Sequence, residues 1–318
     1  MPPRRVIGID AGGTKLLGGV VDEQLVVHHR VHRTWRGGDR GETLDVFVEA
    51  VEEVRAAAPD VAAVGFGIPA LVDAETGVSL WSTHLPLEGV PFRDLMSERL
   101  GLPVFVDNDA NLAMLAEHRR GAARGASHAL MVALGTGIGG GLLLDGKIYR
   151  GATGVGGELG HFVVDFDGPE CQGNCPGRGC LEAMASGTTF GVEAVAAARE
   201  RPDTELGRRL AAGREITGAL VTELAHSGDE LAREVLELVG RRLGAGLTGL
   251  VNVFNPEVVV IGGGAVSAGD LLLGPARQVV AERALPPARD AARIEPAHFG
   301  DESGMLGAAL FAIDGGQA

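Results

Sequence analysis

The stretch Val6-Ile-Gly-Ile-Asp-Ala-Gly-Gly-Thr14 is the strongest indication of the fold, because a similar stretch, Met131-Val-Ala-Leu-Gly-Thr-Gly-Ile-Gly139, follows later in the chain. In both, an apolar run typical of a buried strand enters a glycine-rich turn, and a second apolar run comes after it. Backbone N–H groups in such turns can cradle an anion. The repeat therefore predicts an α/β fold of two related domains around a central cleft, with one phosphate-sized turn in each domain.

Strand and helix patterns around the repeat predict how the domains divide. An amphipathic helix is predicted at 42–58, strands at 61–68 and 104–106, and a helix at 111–120. The second half is mainly helical, at 182–201, 203–212, 217–225 and 229–253, before a buried strand at 258–261. We predict an N-terminal α/β domain over 1–112, joined by the last helix at 304–318, and a larger α/β domain over 113–303. The length of 318 residues is that of about two domains.

Charge and hydropathy exclude several classes of partner. The net charge of −14 argues against nucleic acid or an anionic membrane surface as the main partner. No apolar stretch approaches the roughly 18 residues that a membrane-spanning helix needs. The first residues lack the apolar core of a signal peptide, so we expect a cytoplasmic protein.

The three cysteines of the chain, Cys171, Cys175 and Cys180, fall within ten residues of one another and follow His161 closely. Three thiolates and one imidazole form a closed tetrahedral donor set of the structural zinc type. Clustered cysteines in the cytoplasm favour a metal site over disulfides, and the alternative is three free buried thiols beside a surface histidine. Glu158 and Glu182 flank the cluster, and a loop fixed by zinc would aim their carboxylates at the hydroxyls of a polyol.

Two glycine turns are candidate phosphate sites. The first, Asp10-Ala-Gly12-Gly13-Thr14-Lys15, offers backbone N–H groups, a hydroxyl, and a carboxylate that can hold Mg²⁺ through water; the alternative is a tight hairpin turn with a solvated aspartate. The second, Gly135-Thr136-Gly137-Ile-Gly-Gly140, formally matches a dinucleotide-binding fingerprint. That fingerprint must open a helix, whereas strand residues follow here, which disfavours a dehydrogenase.

Two further segments at the ends of predicted strands are candidate site residues, one for its polar side chains and the other for its glycines. Asn108-Asp109 lies between a predicted strand and a predicted helix, so Asp109 is either a helix N-cap or a general base within reach of a substrate hydroxyl. Gly262-Gly263-Gly264 follows a buried strand, and its bare backbone either lets a nucleoside approach closely or serves as a packing turn.

In this order and together, these motifs resemble the ROK family of sugar kinases and repressors, within the hexokinase/actin-like ATPase fold, and look most like its bacterial glucokinases. The resemblance implies an ATP-dependent kinase acting on the 6-hydroxyl of a hexose, with Asp109 as catalytic base. It implies that the hydroxyls of the sugar are bound by Asn108, Glu158, His161 and Glu182. It implies that the phosphates and Mg²⁺ are bound by Asp10, Gly12, Gly13, Thr14, Lys15, Gly135, Thr136 and Gly137. The nucleoside would lie against Gly263 and Gly264. Structural Zn²⁺ would be bound by His161, Cys171, Cys175 and Cys180. The family also suggests a homo-oligomer, either a dimer or a tetramer.

Two departures from the family pattern leave the sugar and the loop geometry open. Relatives commonly have Cys-x-Cys where this chain has Cys171-x-x-x-Cys175, and many place a sugar-contacting Asn where His84 stands. One hydrogen-bonding group can decide between sugar epimers, so N-acetylmannosamine, fructose, mannose and allose stay alternatives to glucose, and polyphosphate to ATP. A sugar-sensing repressor of the same family is disfavoured, because the first predicted strand begins at Val6 and leaves no room for a helix-turn-helix domain before it.

Overall fold

The structure is a computed structural model that describes residues 4–12, 15–34, 38–82 and 85–317. Its strands are β1 Arg5–Ala11, β2 Lys15–Asp22, β3 Val27–Thr34, β4 Val64–Ile68, β5 Leu71–Val72, β6 Ser79–Trp81, β7 Val104–Asn108, β8 Ala129–Leu134, β9 Ile138–Leu144, β10 Lys147–Ile148, β11 Val258–Gly262 and β12 Arg293–Pro296. Its helices are α1 Arg40–Ala57, α2 Phe92–Leu100, α3 Asp109–Arg120, α4 Leu181–Ala185, α5 Gly187–Glu200, α6 Glu205–Ala211, α7 Gly218–His226, α8 Glu230–Phe254, α9 Asp270–Arg283, α10 Pro286–Ala291 and α11 Ser303–Ile313.

Two five-stranded sheets repeat one topology. The first has the order β3-β2-β1-β4-β7, and the second has the order β10-β9-β8-β11-β12. In the first, β1 pairs with β2 antiparallel and with β4 parallel. In the second, β9 and β10 are antiparallel, whereas β11 and β12 are parallel. The hairpin-then-crossover order confirms the predicted α/β class and the predicted repeat of strand, glycine turn and strand.

The chain divides into two compact units. The first contains described residues within 1–131, 140–158 and 297–318, and the second contains residues 132–139 and 159–296. The last helix, α11, belongs to the first unit and packs against β1, β4 and α3 there. The domain boundaries proposed from the sequence, near residue 112 and near residue 304, stay predictions.

Glycines allow the backbone of α11 to pack directly against the backbones of β4 and α3. A Cβ atom at Gly65 of β4 would overlap the carbonyl oxygen of Ala308, and one at Gly307 would overlap the carbonyl oxygen of Leu112 in α3. The residues of α11 from Ser303 to Ala312 are all buried. This helix is therefore a core element that brings the start of α3 and the end of β1 into one packed layer.

The structure corrects two predicted elements. The helix predicted at 182–201 is two helices, α4 and α5, separated by Ser186, whose backbone is extended and whose hydroxyl accepts the Thr189 N–H. Serine interrupts a helix in this way because its side chain competes with the backbone for the free N–H groups of the next helical turn. The second glycine turn is also shorter than predicted, since β9 already begins at Ile138. Among the described residues, no helix combines the length and the apolar character needed to cross a membrane.

Candidate functional site

The turn between β7 and α3 presents Asp109 at the start of a helix. Asn108 has an extended backbone, and its Oδ1 accepts the N–H groups of Ala110 at 2.9 Å and Asn111 at 3.2 Å. Asn108 is therefore the N-cap, and the alternative interpretation of Asp109 as the cap is wrong. Asparagine and aspartate side chains both make good helix N-caps. Because β7 ends at Asn108, this residue has the extended backbone of an N-cap, and Asp109 is already helical. Asp109 is the first helical residue, is half-buried, and lies where the helix dipole favours a negative charge.

Asp10 is the penultimate residue of β1, in the same compact unit. Its carboxylate lies against the first turn of α11, where a Cβ atom at Gly304 would collide with it. Burial raises the pKa of Asp10 well above its usual value, and the neighbouring carboxylates of Asp109 and Asp301 raise it further. Two neighbouring carboxylates therefore disfavour the charge on Asp10, and a divalent cation at this place would relieve that repulsion.

The rest of the first phosphate turn is described only in part. Gly12 is half-buried and Lys15 is exposed at the start of β2. Gly13 and Thr14 lie outside the described residues, and so does His84. Glu158, in the first compact unit, is exposed and follows Gly157, whose φ of 103° suits glycine. The predicted roles of these residues stay predictions.

In the second compact unit, four predicted metal ligands converge. The donor atoms of His161, Cys171, Cys175 and Cys180 all lie within 4.8 Å of one another. The Sγ of Cys171 is 3.6 Å from the Nδ1 of His161. Zn–S bonds of about 2.3 Å place tetrahedral ligands roughly 3.8 Å apart, so this donor set needs little movement to close around an ion. The residues present therefore fit a structural zinc ion.

The wider Cys-x-x-x-Cys spacing is taken up by a local turn. The Cys171 N–H donates to the Gly177 carbonyl at 3.0 Å, and the Gly177 N–H points to the Cys175 Sγ at 3.4 Å. An isolated bridge between Val163 and Cys180 closes the other side of the loop. Burial raises the pKa of the Cys171 and Cys180 thiols, so without a cation these two thiols favour the protonated form.

Glu182 connects the cysteine cluster to the second glycine turn. It is buried in the first turn of α4, and its Oε2 accepts the Ile138 N–H at 2.7 Å. Its Oε1 is 3.7 Å from the Cys171 Sγ. The predicted contact between Glu182 and a sugar stays a prediction, while the structure gives this carboxylate a second task, which is to hold the start of β9 beside the cluster.

Residues at the start of α5 donate hydrogen bonds to carbonyl groups of the second glycine turn. The Gly187 N–H donates to the Gly135 carbonyl at 2.9 Å, and the Thr188 hydroxyl donates to the Thr136 carbonyl at 2.7 Å. The Gly135 N–H is used within the turn, where it donates to the Gly137 carbonyl. Three hydrogen bonds therefore hold this turn in one conformation, and a turn held in this way would lose less entropy on binding an anion.

The third glycine turn is shaped by packing. Gly263 has a φ of 80°, and a Cβ atom there would overlap the backbone of Leu134 at the end of β8. Gly264 has open space around the position of a Cβ atom. The packing interpretation of Gly263 therefore holds, and a nucleoside contact stays a prediction for both glycines.

A model of the ROK family matches residues 6–315. The chain belongs to the ROK family. A glucokinase of Thermotoga maritima is 35% identical to it over 97% of each chain. A putative xylose repressor of a Caldicellulosiruptor species is 30% identical over 97% of this chain and 78% of the repressor.

Solved structures agree with this assignment. The crystal structure of a ROK family glucokinase from Streptomyces griseus, in complex with glucose and AMPPNP, superposes with a TM-score of 0.90 at 33% identity. The match covers 98% of this chain and 99% of that one. The predicted family and the predicted hexokinase/actin-like ATPase fold are confirmed. Because the family also contains repressors, membership by itself does not decide between catalysis and sensing.

Sequence reasoning missed three charged residues of this ROK chain. Asp107, which is buried, and Arg150, which is partly exposed, form an ion pair directly beside Asn108. Glu117 of α3 is fully buried and accepts hydrogen bonds from Ala122, His298, Phe299 and Ser303. The sequence does show an acidic residue at the end of an apolar strand, and a buried carboxylate needs a hydrogen-bonding or charged partner. It does not show that this partner is Arg150, which lies 43 residues further along the chain.

Proposed function

We propose that this ROK chain is an ATP-dependent glucokinase, which transfers the γ-phosphoryl group of ATP to the 6-hydroxyl of glucose. The observation that carries the proposal is the pair of carboxylates in the first compact unit, Asp109 at the start of α3 and Asp10 at the end of β1, close enough that one raises the pKa of the other. Phosphoryl transfer needs a group that orients the attacking hydroxyl and a site that neutralises phosphate charge. Two aspartates with these separate positions supply both. The glucokinase relatives support the same assignment.

In this proposal Asp109 orients the 6-hydroxyl and accepts its proton as the bond to phosphorus forms. The other hydroxyls are bound by Asn108, Glu158, His161, Glu182 and His84. The phosphates lie on Gly12, Gly13, Thr14, Lys15, Gly135, Thr136 and Gly137, and the nucleoside lies on Gly263 and Gly264.

Mg²⁺ and Zn²⁺ have different tasks. When bound, Mg²⁺ neutralises charge on the phosphate oxygens, and Asp10 is the residue that would hold it, directly or through water. Zn²⁺ would be held by His161 and the three cysteines. Four protein ligands leave no open position for a substrate, so its task is to fix the loop between His161 and Cys180.

A coupled assay of ADP release with Mg-ATP and glucose, run beside Asp109→Ala, tests the proposal. We expect turnover in the wild-type chain and a loss of about 10²-fold or more in kcat in the variant, because a positioned general base contributes that much. A matched control is Asp314→Ala, which removes an ion pair with Arg119 at the far end of α3 and should leave turnover unchanged. Turnover by Asp109→Ala at the wild-type rate would refute the assignment of the base.

The sugar and the donor are tested on the same protein. N-acetylmannosamine, fructose, mannose and allose are compared with glucose by kcat/KM, and polyphosphate is compared with ATP. A higher kcat/KM for another sugar would keep the kinase and change its substrate. The predicted homo-oligomer is checked by light scattering against a protomer mass of 32.8 kDa.

A further inference from the structure

Beside the proposed catalytic base lies a largely buried ion pair between Asp107 and Arg150, and the two oxygens of its carboxylate have different partners. Asp107, the penultimate residue of β7, is 1% exposed. Its Oδ2 accepts two hydrogen bonds from the Arg150 guanidinium, from Nε at 2.8 Å and from Nη2 at 2.5 Å. Its Oδ1 accepts the backbone N–H of Asn108 at 2.7 Å and the Nδ2 of Asn111 at 3.3 Å.

The Oδ1 contacts hold the turn on both sides of Asp109. The residue before it, Asn108, is fixed by its own N–H and by its capping of α3. The residue two positions after it, Asn111, is 2% exposed and is oriented by its bond to Asp107. The Oδ1 of Asn111 is buried and has no hydrogen-bond partner among the described residues, so nothing on that side would hold the amide if the bond to Asp107 were lost.

The Oδ2 contacts join this turn to a second functional segment. Arg150 is held from a second side, because its guanidinium lies over the ring of Phe311 in α11, 5.8 Å from the centroid. Its carbonyl accepts the Gly156 N–H at 2.7 Å, which closes the loop that ends in Glu158. The ion pair therefore connects the turn carrying Asp109 to the loop carrying Glu158, all within the first compact unit.

Stability alone is a poor explanation for such a pair. Taking two charges out of water costs free energy that their attraction often fails to recover, and apolar replacements of buried pairs are frequently neutral or stabilising. What a buried, multiply hydrogen-bonded pair does supply is a fixed geometry. Fixed geometry matters most where reacting atoms must be aligned, since a displacement of about 1 Å can cost ~10²-fold in rate.

We propose that Asp107 and Arg150 are positioning residues that hold Asp109, and the loop bearing Glu158, in the arrangement needed for phosphoryl transfer. The inference rests on the proposed kinase function. Neither residue contacts the reacting atoms; both act through Asn108, Asn111 and the 150–158 loop.

The test compares Asp107→Asn, Arg150→Met and Arg150→Lys with the wild-type chain by kcat, by KM for glucose and ATP, and by melting temperature. We expect kcat to fall about 10²-fold in Asp107→Asn and Arg150→Met, with the KM for ATP changed less than about threefold. Arg150→Lys keeps a charge that can still reach Asp107 and should recover part of kcat. The double variant Asp107→Asn/Arg150→Met should be no slower than the slower single variant, because the two residues act as one unit.

Arg119→Met is the matched control. Arg119 lies on the same helix, α3, and its Nη2 is 2.5 Å from the Oδ2 of Asp314, away from the turn. This variant should change melting temperature without changing kcat. If Asp107→Asn behaves like Arg119→Met, the pair is merely structural and the inference is overturned while the kinase stands. If the wild-type chain phosphorylates none of the five sugars, the proposed function is overturned and the inference falls with it.

Discussion

Two carboxylates that both lie against the start of α11, Glu117 and Asp10, show how the surroundings of an acidic side chain determine its role. Glu117 accepts four hydrogen bonds, from three backbone N–H groups at 2.8–3.0 Å and from the Ser303 hydroxyl at 2.8 Å, so its charge is compensated within the protein. Asp10 instead faces two further acids, and burial together with Asp109 and Asp301 raises its pKa. Glu117 is a structural anchor between α3 and the start of α11, whereas Asp10 is the residue that the proposed function assigns to a cation.

The raised pKa of Asp10 gives a prediction in which stability and activity move in opposite directions. Since its folded-state pKa lies above the unfolded value, ionised Asp10 destabilises the metal-free fold, and stability is lost as pH rises from the unfolded pKa through the raised folded pKa. Asp10→Asn removes that cost. We expect a higher melting temperature for the metal-free variant at neutral pH, a difference that shrinks on acidification, and a kcat lower by about 10²-fold or more.

The control for Asp10→Asn is Glu117→Gln, in which an amide N–H₂ replaces one accepting oxygen. That change leaves buried donors facing a donor and should cost about 1–3 kcal/mol, so the melting temperature falls. A lower melting temperature for metal-free Asp10→Asn would mean that Asp10 is compensated as Glu117 is, and would contradict its assignment to a cation.

At the scale of elements, the cysteine loop is built by turns and short bridges around one glycine. A Cβ atom at Gly177 would lie 3.0 Å from the Cys180 Sγ and 3.4 Å from the Cys175 Sγ, so only glycine fits comfortably between the two sulfurs. The segment has little regular structure of its own, and the thiols of Cys171 and Cys180 prefer the protonated form without a cation. A metal ion would therefore contribute a large part of the free energy that folds this loop.

Cys175→Ser tests the loop as a unit. We expect zinc content, measured by mass spectrometry, to fall from about one ion per chain towards zero, because a hydroxyl is a far weaker zinc ligand than a thiolate. Melting temperature and glucose affinity should fall together, since Glu182 is bonded to Ile138 beside the cluster and His161 belongs to it.

Chelation of the wild-type chain should reproduce the effect of Cys175→Ser, and added zinc should reverse it in the wild-type chain alone. Unchanged zinc content and unchanged glucose affinity in the variant would show that the four donors do not form a structural metal site.

Across the whole molecule, local sequence patterns were enough to predict the strands of both sheets. Contacts between residues far apart in the sequence could not be predicted in this way. The strand, glycine turn and strand at Val6–Thr14 and at Met131–Gly139 are local, so both hairpins were readable. The break at Ser186 was not, because helical spacing continues across it and only the capping geometry stops the helix. Of the site, the cysteine cluster was readable from spacing, whereas the Asp107–Arg150 pair depends on the loop after β10 returning to the end of β7.

Whether the chain is a kinase or a sugar sensor is a question about the whole molecule, since ROK relatives of both kinds align with nearly its full length. A kinase must bind a sugar and a magnesium nucleotide, whereas a sensor needs the sugar alone. Melting curves with glucose, with Mg-AMPPNP and with both therefore separate the two classes without any turnover. At a ligand concentration of 100 Kd, binding stabilises the fold by about 2.7 kcal/mol, which corresponds to roughly 4 °C for a chain of this length.

We expect each ligand alone to raise the melting temperature by about that amount and the pair to raise it further. Asp109→Ala should show the same shift with Mg-AMPPNP, because the base does not hold the nucleotide, and a smaller shift with glucose, because the variant loses the contact to the 6-hydroxyl. A shift with glucose and none with Mg-AMPPNP, in both proteins, would assign the chain to sensing. Shifts with both ligands, together with turnover lost only in the variant, would join the two aspartates, the glycine turns and the cysteine loop in one catalytic cycle.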